Sequence, residues 1–234
     1  MSKINVVSFA SGRFLKSQEI LEKKCYEFGA DRVFCFKQQD IDEEFYKKNY
    51  KILSSTRGSG YWCWKPYFIN KVFNLCDDGD IIIYIDSGAY PIHSLKDLPC
   101  KDSINCFETY GHKNKTWTKY DCFKIMNCIE EKYFESYQVL GGFQIYIKNK
   151  TSQEFVNENL NFCQIYQVIS DSESVLGKND SSFTDHRHDQ SIFTNLCIKY
   201  NVARHRDPSQ WGNDHIEKYK DTYPQIFNLH RGVM

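Results

Sequence analysis

Asp86 follows Tyr84-Ile85 without a break, so its carboxylate stands at the mouth of Ile81 to Ile85, five residues without a charge. A carboxylate at the end of an apolar strand is costly to leave uncompensated. A hard divalent ion, Mg2+ or Mn2+, answers that need, because such ions are held by one or two carboxylates and completed by the phosphate oxygens of a bound diphosphate. The competing reading is an Asp that closes a turn with Ser87 and Gly88. A second concentration of chemistry is Arg57-Gly58-Ser59-Gly60-Tyr61-Trp62-Cys63-Trp64-Lys65-Pro66, which mixes glycine, indole and cation. Arg57 and Lys65 suit charge developing on a leaving diphosphate, or are ordinary solvated cations. Tyr61, Trp62 and Trp64 suit stacking on a base or sugar ring, yet clustered aromatics are more often core, and two of the three are expected to be buried. His186 and His188 form an H-x-H, but no Cys or His pair stands at the spacing a structural zinc needs.

These residues need a scaffold. Ile4 to Phe9 is an apolar run ended by Ala10, Ser11 and Gly12, a first buried strand and its loop. Leu21, Cys25 and Phe28 recur at helical spacing before Gly29, which predicts a helix from Phe14 to Phe28; Val33 to Phe36 is then a second strand. Strand, helix, strand in that order is the pattern of a right-handed crossover and a mostly parallel sheet. A polar helix is expected over Asp42 to Tyr50. Pro66 suits a first helical turn, with Ile69, Val72, Phe73 and Cys76 as the apolar stripe beneath it. Ile81 to Ile85 reads as a central strand covered on both faces. Further on, Ile104 to Phe107 is a weaker strand, Lys113 to Lys119 a polar loop, and Phe143 to Ile147 a strand preceded by Gly141-Gly142. A long helix is expected from Ser152 to Ile169, a flexible loop over Asp171 to Ser182, and a helix from Asp189 through Tyr200.

Composition excludes several functions. Thirty basic side chains balance thirty acidic ones, so no net positive field exists to release counterions from a nucleic acid or hold an anionic membrane. No stretch approaches the roughly 20 apolar residues of a membrane span, and the start lacks the pattern of a secretory signal. Ten cysteines without C-x-x-C spacing read as small buried apolar residues in a reducing, cytoplasmic setting.

In an open parallel sheet, ligands bind beyond the carboxyl ends of the strands. That rule gathers Phe9, Ala10, Ser11 and Arg13 from the first loop, Asp86, Ser87 and Gly88 from the central one, and Gly141, Gly142 and Asp189 from later segments.

With those landmarks in order, the chain resembles glycosyltransferases of the GT-A fold. The family's metal-binding D-x-D looks like Asp86-Ser87-Gly88, and its glycine-bearing loop looks like Val139-Leu140-Gly141-Gly142. Its acidic helix start looks like His188-Asp189-Gln190, and its late histidine like His230 within Asn228-Leu229-His230-Arg231-Gly232. The Arg57 to Pro66 run also resembles a segment of small GT-A domains from bacterial polysaccharide pathways and large viruses. The third position of the D-x-D is Gly88, so one expected metal ligand is missing.

The resemblance implies an α/β, GT-A type fold with a Rossmann-like, mostly parallel sheet flanked by helices. It implies one domain over 1–234, with a nucleotide-binding half to roughly residue 110 and an acceptor-side half from roughly 111. It implies a hexosyl- or deoxyhexosyltransferase of polysaccharide biosynthesis that uses a nucleotide-sugar, UDP-sugar favoured, and a hydroxyl acceptor on a glycan, without nucleic acid. Asp86 and His230 would hold one Mn2+ or Mg2+. Phe9, Ala10, Ser11, Arg13, Arg57, Tyr61, Trp64, Lys65, Ser87 and Gly88 would surround the donor. Gly141 and Gly142 would let backbone approach the donor sugar, or form a turn before the next strand. Asp189 would orient the acceptor hydroxyl or take its proton, although Asp at a helix start is also an ordinary N-cap; His188 and Gln190 flank it. The Asp-Gln helix start leans toward retention at the anomeric carbon. The non-enzyme alternative is a nucleotide-sugar or carbohydrate-binding domain that kept the fold and lost turnover, which Gly88 would mark. The end at Met234 permits one domain of a longer transferase.

Overall fold

The computed structural model describes residues 2–219 and 223–231. Its strands are β1 (Ile4–Ala10), β2 (Arg32–Lys37), β3 (Ile81–Ile85), β4 (Ala89–Pro91), β5 (Ile104–Lys113), β6 (Tyr137–Val139), β7 (Phe143–Ile147), β8 (Arg204–His205) and β9 (Phe227–Leu229). Seven of them form one sheet in the order β2-β1-β3-β7-β5-β6, with β8 beside β5. β1 pairs in parallel with β2 and β3. β7 is antiparallel to both β3 and β5, β6 is antiparallel to β5, and β8 is parallel to it. Within this sheet all strands but β6 and β7 therefore run the same way, and β3 sits at the centre with its carboxyl end at the edge of a crevice.

The two-residue alternation of these strands splits the core. Val7, Phe9, Ile82 and Tyr84 face one apolar cluster, where the helices Trp64–Phe73, Lys150–Cys163 and His188–Lys199 pack. Ile4, Val6, Ile83 and Ile85 face the other, against Leu21 and Cys25 of the Leu15–Glu27 helix. Helices thus cover both faces, as the uncharged β3 requires. A small ribbon of β4 and β9, with Ala89 opposite Leu229, folds over the end of β3 and carries the C-terminal segment to the crevice.

The chain departs from its expected elements where charge, not apolar spacing, sets the structure. Lys113 to Lys119 is not a loop: Asn114–Trp117 and Tyr120–Ile125 are helical. Lys119 between them is buried, donating to the Ser170 and Ser172 carbonyls at 2.8 and 3.1 Å. The helix expected to Ile169 breaks after Cys163, and Tyr166–Ile169 forms a separate turn. The 171–182 segment has few apolar residues, yet Asp121 pins it by accepting the Val175 and Leu176 amides at 2.9 Å each. The ten cysteines are all free thiols, and eight are buried.

Candidate active site

Three elements deliver charge to one point. β3 ends at Asp86; the Trp64–Phe73 helix carries Lys65 in its first turn; the His188–Lys199 helix carries Asp189 in its own. Lys65 Nζ lies 2.7 Å from Asp189 Oδ2 and 3.6 Å from Asp86 Oδ1, and donates to the Gly141 carbonyl at 3.0 Å. The Asp189 contact is an ion pair without the angle of a hydrogen bond. Lys65 is 3% exposed and Asp189 6%, a depth at which unpaired charge would be prohibitive. Asp86 differs, with its side chain 41% exposed, so the cluster opens to solvent through it. Two carboxylates and one ammonium leave a net negative charge at that opening.

Burial raises the Asp189 carboxyl to about 6, against the pull of the Lys65 ammonium. Burial pulls the Lys65 ammonium down, but the charges of Asp189 and Asp86 outweigh it and leave its pKa above the ordinary value. The Tyr84 phenol is pushed well above its usual range by burial and then by the Asp86 charge, so it stays protonated and donates to Asp86 Oδ1 at 2.5 Å.

Two hollows meet at Asp86. The larger, about 420 Å³, is walled by Phe9, Phe14, Trp62 and Trp64 with Ser87, Gly88 and Arg231. Phe9 stacks on Trp64 with ring centroids 3.9 Å apart, which stiffens that wall. The smaller, about 190 Å³, is lined by Lys65, Gly141, Gly142, Arg187, Asp189 and Gln190 among others. Asp86 and Trp62 belong to both.

The glycines here are dictated by close approach. A Cβ at Gly142 would sit 2.8 Å from Asp86 Oδ2, and the Gly142 carbonyl already accepts the Asp86 amide at 2.9 Å. Gln190 fixes the preceding residue by accepting the Gly141 amide at 3.2 Å, while its own amide donates to Gln138 at 2.7 Å. At Gly88 a Cβ would stand 3.1 Å from the Arg231 Cα, and the Gly88 carbonyl accepts the His230 and Arg231 amides at 2.9 Å each. Glycine suits position 88 because the C-terminal segment lies directly over it.

The structure gathers most of the sequence-derived residues. Phe9, Ser11, Trp64, Ser87 and Gly88 line the larger hollow; Arg57, Lys65, Gly141, Gly142, His188, Asp189 and Gln190 line the smaller. Four are not brought in. Ala10 is buried under the sheet end, Arg13 faces solvent on a short turn, and Tyr61 lies against the His188 ring at 5.3 Å. His230 stands opposite Gly88, between Leu229 and Arg231; those neighbours face the larger hollow, while the imidazole lies 5.6 Å from the Tyr90 ring. Gly232 of the same motif lies outside the described residues.

Several expected roles change. Lys65 is not a solvated cation but the buried counter-ion of two carboxylates. The Arg57 guanidinium pairs with Asp171 at 3.1 Å and Asp185 at 2.5 Å, all part-exposed, so a phosphate would have to compete with two carboxylates for it. Asp189 is not an N-cap: Arg187 occupies that position without a side-chain bond. Only Trp64 of the three clustered aromatics is buried; Tyr61 and Trp62 are half-buried. His186 has both ring nitrogens engaged, with the Lys119 amide and the Val168 carbonyl, and His188 Nε2 faces Asp171 at 2.8 Å. Tyr84 was missed, although it shares a strand face with Asp86 at a spacing of two.

Among the described residues, no three His, Cys, Asp or Glu side chains gather as a preformed metal cage would need. The exposed Asp86 carboxylate, in a cluster of net negative charge, fits the sparser requirement of a magnesium-type ion that takes its remaining oxygens from diphosphate and water.

By sequence, no family model and no curated protein matches the chain. By structure it is similar to galactosyltransferase LgtC in complex with donor and acceptor sugar analogues, at 12% identity over 97% of this chain and 86% of that one, with TM-score 0.52. An active-site mutant of LgtC aligns over the same shares at 12% identity and 0.53. A glycosyltransferase involved in glycosylation of the major capsid of PBCV-1 aligns at 11% identity over 97% and 94% of the two chains, with 0.46. The LgtC likenesses show that this chain has the GT-A-type glycosyltransferase fold.

Proposed function

We propose that the chain is a glycosyltransferase that moves a hexosyl or deoxyhexosyl group from a nucleoside diphosphate donor, UDP-sugar first, to a hydroxyl of a glycan acceptor. One observation carries the reading: the Asp86, Lys65 and Asp189 cluster lies at the junction of an aromatic hollow and a small polar one, at the carboxyl end of β3. On this reading the nucleoside occupies the larger hollow, the diphosphate lies at Asp86 and the sugar reaches the smaller hollow. Asp86 would hold one Mn2+ or Mg2+, which would supply positive charge to the departing diphosphate. Gly142 leaves backbone instead of a side chain beside Asp86, and Gln190 fixes the Gly141 amide against which the sugar would rest. Asp189, poised near 6, is the carboxylate for orienting the acceptor hydroxyl or accepting its proton. The Asp189-Gln190 helix start supports retention.

The packing of Gly88 under the C-terminal segment supplies a reason for its identity other than a lost metal ligand. Among the described residues no helix is long and apolar enough to cross a membrane, and free thiols throughout suit work in the cytoplasm on polysaccharide precursors.

The test begins with thermal unfolding in Mn2+ with and without UDP. Ligand at a hundred times its dissociation constant should stabilise by about 2.7 kcal/mol. Release of UDP from a panel of UDP-sugars should then be measurable in wild type and lost in Asp86→Ala. Silence with UDP, GDP and dTDP donors alike, or release undiminished in Asp86→Ala, sinks the proposal.

A further inference from the structure

We infer that Trp62 is the platform on which the transferred sugar stacks, and therefore the residue that selects the donor sugar. The inference rests on the donor placement just proposed. Among the described residues Trp62 alone besides Asp86 lines both hollows, so its indole stands where diphosphate gives way to sugar. The ring is half-buried and tilted 41° to the His188 ring, with centroids 5.2 Å apart. Its placement is enforced: Gly58 through Trp62 all have positive φ, and Trp62 itself stands at 60°. Left-handed backbone costs a non-glycine residue roughly 1–2 kcal/mol, so Ser59, Tyr61 and Trp62 hold this turn against their own preference. Gly58 is the counterpart, since a Cβ there would stand 2.3 Å from the Trp62 ring.

An indole at that position offers an apolar face to the C–H face of a pyranose, while Asp189, Arg187 and Gln190 across the smaller hollow offer polar atoms to its hydroxyls. The donor it fits is a pyranose with one unobstructed C–H face. Substituents that break that face are what the ring would reject.

The test compares Trp62→Gly and Trp62→Phe. Glycine accepts the left-handed backbone, so the first variant removes the ring while easing the turn. Dissociation constants for UDP alone, and kcat/KM across a panel of UDP-hexoses and UDP-deoxyhexoses, are measured for each protein. Because Trp62 also walls the larger hollow, Trp62→Gly should weaken UDP binding, but several-fold less than it lowers kcat/KM for the preferred donor, which should fall about tenfold, with the ranking of sugars flattened. Trp62→Phe should recover part of the loss and keep the ranking. An unchanged ranking in Trp62→Gly, or a loss of UDP affinity as large as the loss in kcat/KM, overturns the inference and leaves the transferase reading intact. Failure of wild type to bind UDP, GDP or dTDP overturns both.

Discussion

The two hollows that meet at Asp86 are built on opposite principles. The larger is a packing product, in which β1 supplies Phe9, the Trp64–Phe73 helix supplies Trp64 stacked upon it, and the C-terminal ribbon closes over Gly88. The smaller is an electrostatic product: Lys65, Asp189 and the Gly141 carbonyl come from three separate elements and are buried together. Aromatic contact tolerates small changes and offers a base a generic face, whereas a buried charge set has one workable arrangement. Binding of the nucleotide and handling of the sugar should therefore be separable by mutation.

The sharpest break is Asp189→Asn. If the smaller hollow carries the chemistry, turnover should fall by about 10² to 10⁴ while UDP affinity changes little, as single-turnover rates and calorimetry would show. Comparable losses in both would erase the distinction. The same carboxyl sets the pH response. The ionised form does the work, so wild-type kcat/KM should fall with pH below about 6. Stability moves the other way: a carboxyl raised from 3.8 to about 6 holds its proton in the folded chain where the unfolded chain has lost it. Wild type should therefore lose stability relative to Asp189→Asn as pH rises from about 4 to 6, and the gap should stay level above.

Lys65→Met attacks the arrangement from its cationic side and should cost about 3–5 kcal/mol, because it leaves buried negative charge uncompensated. Adding Asp189→Asn should return much of that stability by removing one of the stranded charges, which chemical denaturation of the double variant would show. Where Lys65→Met folds, its acid limb should lie above that of wild type, since Lys65 pulls the Asp189 pKa down. Additive losses would mean that the two residues do not communicate, and the smaller hollow would then be no more coupled than the larger.

Legibility followed the same division. β1, β2, β3 and β7 are runs of Val, Ile, Phe and Tyr bounded by turn residues, so apolar periodicity placed them to within a residue or so, and Asp86 with them. Asp189 and the glycine pair were legible through the resemblance. The buried role of Lys65 was not, because a lysine in sequence carries no mark of the carboxylates that other elements will bring to it. Lys119 and Asp121 were lost for the same reason: their partners lie some fifty residues on. Leu229 and Arg231 line the larger hollow and His230 between them does not, because the pairing of the β4 and β9 ribbon decides which alternate residues face it.

The smallest expected effect tests what Gly88 means. A glycine where a D-x-D would place a carboxylate reads either as a lost metal ligand or as a contact point for the C-terminal segment. Gly88→Ala adds one methyl 3.1 Å from the Arg231 Cα, close enough that the backbone must yield by a few tenths of an ångström. The cost should be about 1 kcal/mol, the low end for overpacking, with turnover down a few-fold as the ribbon shifts on the larger hollow. Gly88→Asp separates the readings further. If position 88 is a vacated ligand site, the new carboxylate should tighten the dependence on Mn2+ in a metal titration of UDP binding. If packing governs, as the two amides bonded to the Gly88 carbonyl indicate, Gly88→Asp should lose stability and gain no metal affinity, because the ribbon occupies the space the carboxylate would need.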